Sequence, residues 1–280
     1  MSHERLKIGV VATASAMSPE VATRVPALAR ALYGDRAPEI VFHPDSVASD
    51  GHFAGDDATR ARAFLDIAND ESFDALWFAR GGYGSCRIGE AVLAGLTPAA
   101  RAKTYLGYSD AGALLGGLYR GGFPHVAHGP VAQDILREGG EAAIARALTW
   151  LTDRAPETLE PSLRDGRKAA AFNLTVFSQL LGTPLEPDLT DHVLMLEEVS
   201  EAMYRIDRSF FHVTSNPSVR RVAGLRLGRC SLVPPNDPDF GMSEDEVAQY
   251  WCERSGIPWL GRADIGHDVD NRIVPFGAGA

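Results

Sequence analysis

The chain has 280 residues, 45% of them hydrophobic and 23% charged, enough for one large globular domain or two of ordinary size. Its 27 basic against 37 acidic residues leave a net charge of −10, which argues against general binding to nucleic acid or to a membrane surface, and no apolar run approaches the ~20 residues of a membrane span. Cys86, Cys230 and Cys252 are far apart, odd in number and without CxxC or Cys/His spacing, so they read as buried reduced thiols rather than a disulfide framework or zinc site.

Arg5 and Lys7 ahead of Ile8–Val11, with Ala14-Ser15-Ala16 behind, have the outline of an export signal. The apolar core is too short for one, and the same residues make a buried first strand, Lys7–Ala12; a cytoplasmic protein is expected. Ser18–Leu32 carries helical spacing in Val21, Val25, Leu28 and Leu32, with Ser18 as a cap and Pro26 implying a kink or a late start. Glu39–Phe42 reads as a second strand, and Asp57–Ile67 as an amphipathic helix with Ala61, Phe64, Leu65 and Ala68 as its stripe. Ala75–Phe78 is a third strand, running into Arg80-Gly81-Gly82-Tyr83-Gly84. Tyr105–Tyr108 is a fourth; it ends at Ser109, and from Asp110 the pattern turns helical with Leu114, Leu115 and Leu118 on one face. This alternation predicts an α/β fold built on a doubly wound parallel sheet, whose ligands sit beyond the carboxyl ends of the strands. The Arg80–Gly84 loop and Ser109 both fall at such ends.

Asp153–Lys168, with Pro156, Pro161 and several charges, marks a boundary, so residues 1–152 are expected to form one domain, 153–168 a linker and 169–280 a second domain. There Asn173–Leu181, Tyr204–Val213 and Glu244–Ser255 read as helices. His192–Leu196 (running into Glu197-Glu198), Val222–Leu227, Ile257–Leu260 and Ile273–Phe276 read as strands.

A serine at a sharp strand-to-helix turn has its hydroxyl lifted clear of the sheet, beside unpaired helix N–H groups that can hold an oxyanion. Gly107-Tyr108-Ser109-Asp110-Ala111 half-matches the G-x-S-x-G elbow and departs from it at Ala111; by itself Ser109 is either a nucleophile or a helix cap. Gly81-Gly82 is either a tight turn or half of an oxyanion hole, and Arg80 either a structural ion pair or the holder of a substrate carboxylate. No P-loop or dinucleotide fingerprint is present. Among the histidines, His125 and His128 read as packing or loop residues, whereas His267, between Gly266 and Asp268 in a polar turn, is an exposed candidate base. Glu197 and Glu198 either orient a histidine or form a solvent-facing strand-end pair, and as neighbours on a strand they point to opposite faces.

Taken together these strings resemble the L,D-carboxypeptidases of peptidase family S66, which includes the microcin-immunity peptidases. The resemblance runs through Ile8–Ser15, Arg80–Gly84, Gly107–Asp110, His128-Gly129-Pro130, Asn173-Leu174-Thr175, Leu181–Pro184, Leu196–Glu198, Tyr204–Arg208 and Gly266-His267. It implies a Rossmann-like N-terminal domain beside a smaller β-rich C-terminal domain, with the site in the cleft between them. It further implies Ser109 as nucleophile, His267 as base, Glu197 as the carboxylate that orients it, and the N–H groups of Gly82 and Asp110 as oxyanion hole. Arg80, Gly81 and Tyr83 would bind substrate. The expected substrate is the murein tetrapeptide losing its terminal D-alanine in cytoplasmic wall recycling, by a homodimer without metal or organic cofactor. Ala171-Phe172 stands where the family often has Gly-Gly, and Glu197-Glu198 where Glu-Asp is usual. Two other readings are a microcin-immunity type peptidase acting on aminoacyl-nucleotide conjugates, and a small-ligand-binding module without chemistry.

Overall fold

The computed structural model describes residues 5–277. The first half alternates strand and helix: β1 (Lys7–Val11), α1 (Val21–Tyr33), β2 (Glu39–Phe42), α2 (Asp57–Asn69), β3 (Ala75–Phe78), α3 (Ser85–Gly95), β4 (Thr104–Gly107), α4 (Gly112–Arg120), β5 (Val126–His128) and α5 (Gly140–Asp153). The second half contains β6 (Ala169–Asn173), α6 (Leu174–Leu180), β7 (Val193–Val199), α7 (Met203–Ser215), β8 (Gly224–Ser231), α8 (Glu244–Ser255), β9 (Trp259–Arg262) and β10 (Val274–Pro275). One sheet has the order β10-β5-β4-β3-β1-β2 and the other β6-β7-β8-β9. All pairings are parallel except β10 against β5. Strands such as β3 and β4 are buried at every position, as parallel strands covered by helices on both faces must be.

Residues 153–168 hold two short 3-10 turns, Pro156–Thr158 and Pro161–Asp165. Backbone bonds from Ile273 N to Thr158 O (3.1 Å) and from Glu160 N to Ile273 O (3.0 Å) tie this segment to the C-terminal tail, which continues into β10 on the first sheet. One apolar cluster joins Phe78, Tyr105 and Leu114 of the first half to Phe172, Leu196 and Phe210 of the second.

Several elements differ from their sequence expectation. Helix α1 starts at Val21 rather than Ser18, no side chain caps it, and Pro26 lies inside it. Burial of Val21, Val25 and Ala29 holds the helix despite the missing proline N–H. Strand β6 escapes notice in the sequence because Ala169-Ala170-Ala171 has little intrinsic strand preference; its small side chains are all buried. β7 continues through Glu197 and Glu198, which are 0% and 2% exposed, so the pair does not face solvent. Cys252 is buried and Cys230 half-buried, but Cys86 is exposed on the first turn of α3. All three thiols are free, and burial pushes that of Cys252 up to about 12.

Candidate active site

β4 delivers the chain into the turn through Tyr108, whose backbone is extended. Ser109 then takes φ = 61°, in the left-handed region, and opens a 3-10 turn, Ser109–Ala111, ahead of α4. A non-glycine residue held there costs on the order of 1–3 kcal/mol and persists only when its surroundings over-determine it. They do. A Cβ at Gly81 would stand 2.9 Å from Ser109 Oγ, so the glycine lets the loop after β3 close against the hydroxyl. Gly82 has φ = 125°, and a Cβ there would meet Ser15 Oγ at 2.5 Å. The buried Asp110 carboxylate accepts from Gly84 N (3.2 Å) and Ser85 N (2.8 Å), capping α3 and fastening the glycine loop to the serine turn. Ser109 itself makes no capping bond, so the helix-cap alternative is not realised.

The Ser109 hydroxyl meets His267, whose Nε2 lies 3.0 Å from Oγ. On the far side of the ring, Nδ1 lies 2.5 Å from Glu197 Oε2. Strand alternation sends Glu198 to the opposite face, where it accepts from Asn173 Nδ2 (2.8 Å), Thr175 N (2.9 Å) and Thr175 Oγ1 (2.7 Å). Glu197 therefore faces the imidazole, and Glu198 steadies the start of α6. His267 is largely buried rather than exposed, with a side chain 9% accessible. Burial pulls its affinity for a proton down, but the Glu197 charge and hydrogen bond, with smaller contributions from Asp134 and Glu198, outweigh that and leave it raised.

The cleft in front of Ser109 has a volume of about 320 Å³, and Arg80, Gly81, Gly82, Gln133, Arg137 and His267 are among its walls. Arg80 gives one hydrogen bond, Nη1 to Ala16 O at 2.9 Å, and no carboxylate among the described residues pairs with it; the structural ion pair is not realised. Arg137 is engaged: it donates to Asp134 Oδ1 (2.8 Å), His267 O (2.8 Å) and Tyr108 Oη (3.3 Å). Tyr83 lies outside the cleft wall, half-exposed against His52 and Phe53.

Sequence reasoning missed Arg137, Asp134 and Tyr108, as well as Arg229. From β8, Arg229 holds Asp268 through Nε–Oδ2 (2.5 Å) and Nη2–Oδ1 (2.8 Å), and Asp264 through Nη1 (2.6 Å). The strings around Arg137, Asp134 and Arg229 carry no motif, and Tyr108 shows only as an unspecified position of the serine turn; the Asp beside His267 was the one further cue. Among the described residues no group of three or more His, Cys, Asp or Glu is placed to hold a metal, and no helix is long and apolar enough to cross a membrane.

Comparison with known proteins bears on this geometry. A family profile described as the LD-carboxypeptidase N-terminal domain matches residues 8–129, and one described as the LD-carboxypeptidase C-terminal domain matches residues 168–280. A putative carboxypeptidase of Synechocystis sp. is 32% identical over 250 residues, covering 86% of this chain and 80% of its own. The chain belongs to the LD-carboxypeptidase family, peptidase family S66. This S66 carboxypeptidase is also similar to the murein tetrapeptide carboxypeptidase of Pseudomonas aeruginosa, at 26% identity over 72% of this chain and 70% of that one. In fold it resembles the crystal structure of muramoyltetrapeptide carboxypeptidase from Oxalobacter formigenes, with TM-score 0.76, 20% identity and coverage of 96% and 93% of the two chains.

Proposed function

We propose that this chain is a serine L,D-carboxypeptidase that removes the terminal D-alanine from murein tetrapeptides. The observation that carries the reading is the continuous hydrogen-bonded chain Ser109–His267–Glu197, with contacts of 3.0 and 2.5 Å, opening on a cleft that contains Arg80, which pairs with no carboxylate among the described residues. In this reading Ser109 Oγ attacks the carbonyl that precedes the terminal D-residue while His267 Nε2 takes its proton. Glu197 holds the Nδ1–H tautomer and stabilises the imidazolium. The backbone N–H groups of Gly82 and Asp110 receive the tetrahedral oxygen. The imidazolium then protonates the leaving amine, D-alanine departs, and a water activated by His267 hydrolyses the acyl-enzyme.

Arg80 is the group best suited to hold the free terminal carboxylate, which makes the enzyme a carboxypeptidase rather than an endopeptidase; a guanidinium with one backbone bond and no carboxylate partner among the described residues is available for a bidentate contact. Gly81 lets the loop approach the peptide, and Tyr83 meets it at the outer edge of the same loop. We further propose that residues 1–152 and 169–280 act as two domains joined by 153–168, and that the enzyme works as a cytoplasmic homodimer in wall recycling.

The test is a substrate panel: tetrapeptide, tripeptide, tetrapeptide with a C-terminal carboxamide, and an aminoacyl-adenylate conjugate. Release of D-alanine from the free tetrapeptide, with the carboxamide at least about tenfold poorer in kcat/KM, is expected. Preference for the adenylate conjugate, or no turnover of any, would overturn the assignment.

A further inference from the structure

His128 closes β5 and is 1% exposed, and its string, His128-Gly129-Pro130, has no part in the chemistry above. Its ring meets Tyr108 edge-on at 5.7 Å between centroids, and Tyr108 in turn lies 4.7 Å from the ring of His267. Its Nε2 is 3.1 Å from Asn271 Oδ1. The same oxygen accepts the backbone N–H of Gly266 at 3.2 Å. A backbone N–H needs an acceptor, so the oxygen of the amide faces Gly266; Nε2 of His128 must then carry the proton and donate. Gly266 is the residue immediately before His267.

The path therefore runs from β5 through Asn271 to the backbone that presents the imidazole. The serine arrives from β4, the strand paired with β5, where Gly107 lies opposite His128 in register. The ladder is continued by Gly129 N to Gly107 O at 3.0 Å. Ser109 lies two residues beyond Gly107. One pair of neighbouring strands thus carries the nucleophile on one member and the anchor of the base on the other.

We infer that His128 and Asn271 act together as positioning residues, setting the His267 imidazole at bonding distance from Ser109; this rests on the catalytic reading above. Their role is geometric, since His128 does not itself line the cleft and reaches it only through Tyr108 and Asn271. Burial, with a smaller contribution from the charge on His267, outweighs the hydrogen bonds to Asn271 and the Ala171 backbone and brings the His128 proton affinity down to about 4. His128 is then a neutral donor throughout the range in which His267 exchanges its proton, and it does not oppose the imidazolium that forms during turnover.

The experiment compares His128→Leu, His128→Gln and Asn271→Ala with the parent enzyme, each checked for folding by circular dichroism and thermal melting. Two readouts are taken: kcat and KM for D-alanine release, and the low-field proton NMR resonance of the His267 Nδ1–H that bonds Glu197. His128→Leu should lower kcat by roughly 10–100-fold with KM changed by no more than about twofold, because a displacement of an ångström or less is felt at that scale. Its low-field resonance should broaden or move upfield. Glutamine places an amide N–H near the Nε2 position, so His128→Gln should recover kcat to within about threefold and restore the resonance.

A folded His128→Leu with parental kcat and an unchanged resonance would overturn the inference, as would a His128→Gln as impaired as the leucine variant. If His128→Leu does not fold, Asn271→Ala stands in its place with the same expected losses and the same overturning result. The resonance needs no substrate. Absence of D-alanine release by the parent enzyme would therefore defeat the proposed function alone, and the NMR comparison would still decide the positioning role.

Discussion

Ser109 and His267 meet at 3.0 Å but are held there by opposite means. Ser109 is placed by its neighbours: a left-handed backbone at φ = 61°, glycines that let the preceding loop close in, and the Asp110 carboxylate capping α3. His267 sits in a loop without regular structure and is placed by side chains that come from far along the chain. Arg137 reaches its carbonyl across 130 positions, Arg146 holds Val269 O (2.8 Å) and Asn271 O (3.0 Å), and Arg229 grips Asp268. A nucleophile, the role proposed for Ser109, needs a fixed direction, which backbone geometry supplies over a few residues. A base, the role proposed for His267, needs a fixed position between two sheets, and a loop attains that only by being tied from both sides.

The largest expected effect lies on the locally built side. Ser109→Ala should lower kcat for D-alanine release by roughly 10⁴-fold or more, leaving the residual rate that oxyanion contacts and binding alone supply. A rate within tenfold of the parent would break the assignment of the nucleophile.

Glu197→Gln tests the partner side and should lower kcat by about 10²–10⁴-fold, through loss of the correct tautomer and of imidazolium stabilisation. It also carries a pH signature. As the proposed base, His267 acts only when neutral, and its proton affinity is raised above the ordinary 6.5, so the ascending limb of kcat/KM should have its midpoint above that value. Removing the Glu197 charge leaves burial as the dominant influence, which lowers the proton affinity; the limb should move to lower pH even as the rate falls. A limb that stays in place would mean that another group sets it.

Two smaller substitutions sharpen the contrast. Gly81→Ala puts a methyl 2.9 Å from Ser109 Oγ and 3.0 Å from its Cβ. The serine side chain must give way by a few tenths of an ångström, and kcat should fall roughly 10–50-fold without loss of the fold. Arg229→Ala removes one of several ties on the His267 loop; kcat should fall about three- to tenfold, with KM for the tetrapeptide unchanged. If the arginine variant proved the more damaging of the two, the loop would depend on one tie rather than on many.

The helix-strand alternation of the first half was legible because its strands, the buried Ala75–Phe78 and the partly exposed Glu39–Phe42 at the sheet edge among them, are short, largely apolar runs bounded by turn residues, and both match their observed limits. Helix α8 was equally clear from the cap at Ser243, which the structure completes as a capping box with Glu246. Ala169–Asn173 was invisible as a strand, since alanine becomes a strand residue only where tight packing demands it.

For the site, the turn at Ser109 and the glycine loop were readable because each is a short-range device, written in consecutive residues whose backbone preferences act over one or two peptide units. The meeting of Ser109 with Glu197 and His267 entered through family resemblance, not through spacing. The engagement of Glu198 on the opposite face with Asn173 and Thr175, that of Arg137 with Asp134, and the bond from His128 to Asn271 came from the packed molecule. The contacts between the halves depend on which faces of two separate sheets are brought together, and side chains 70 to 158 positions apart acquire their distances only when the apolar surfaces between those sheets are buried.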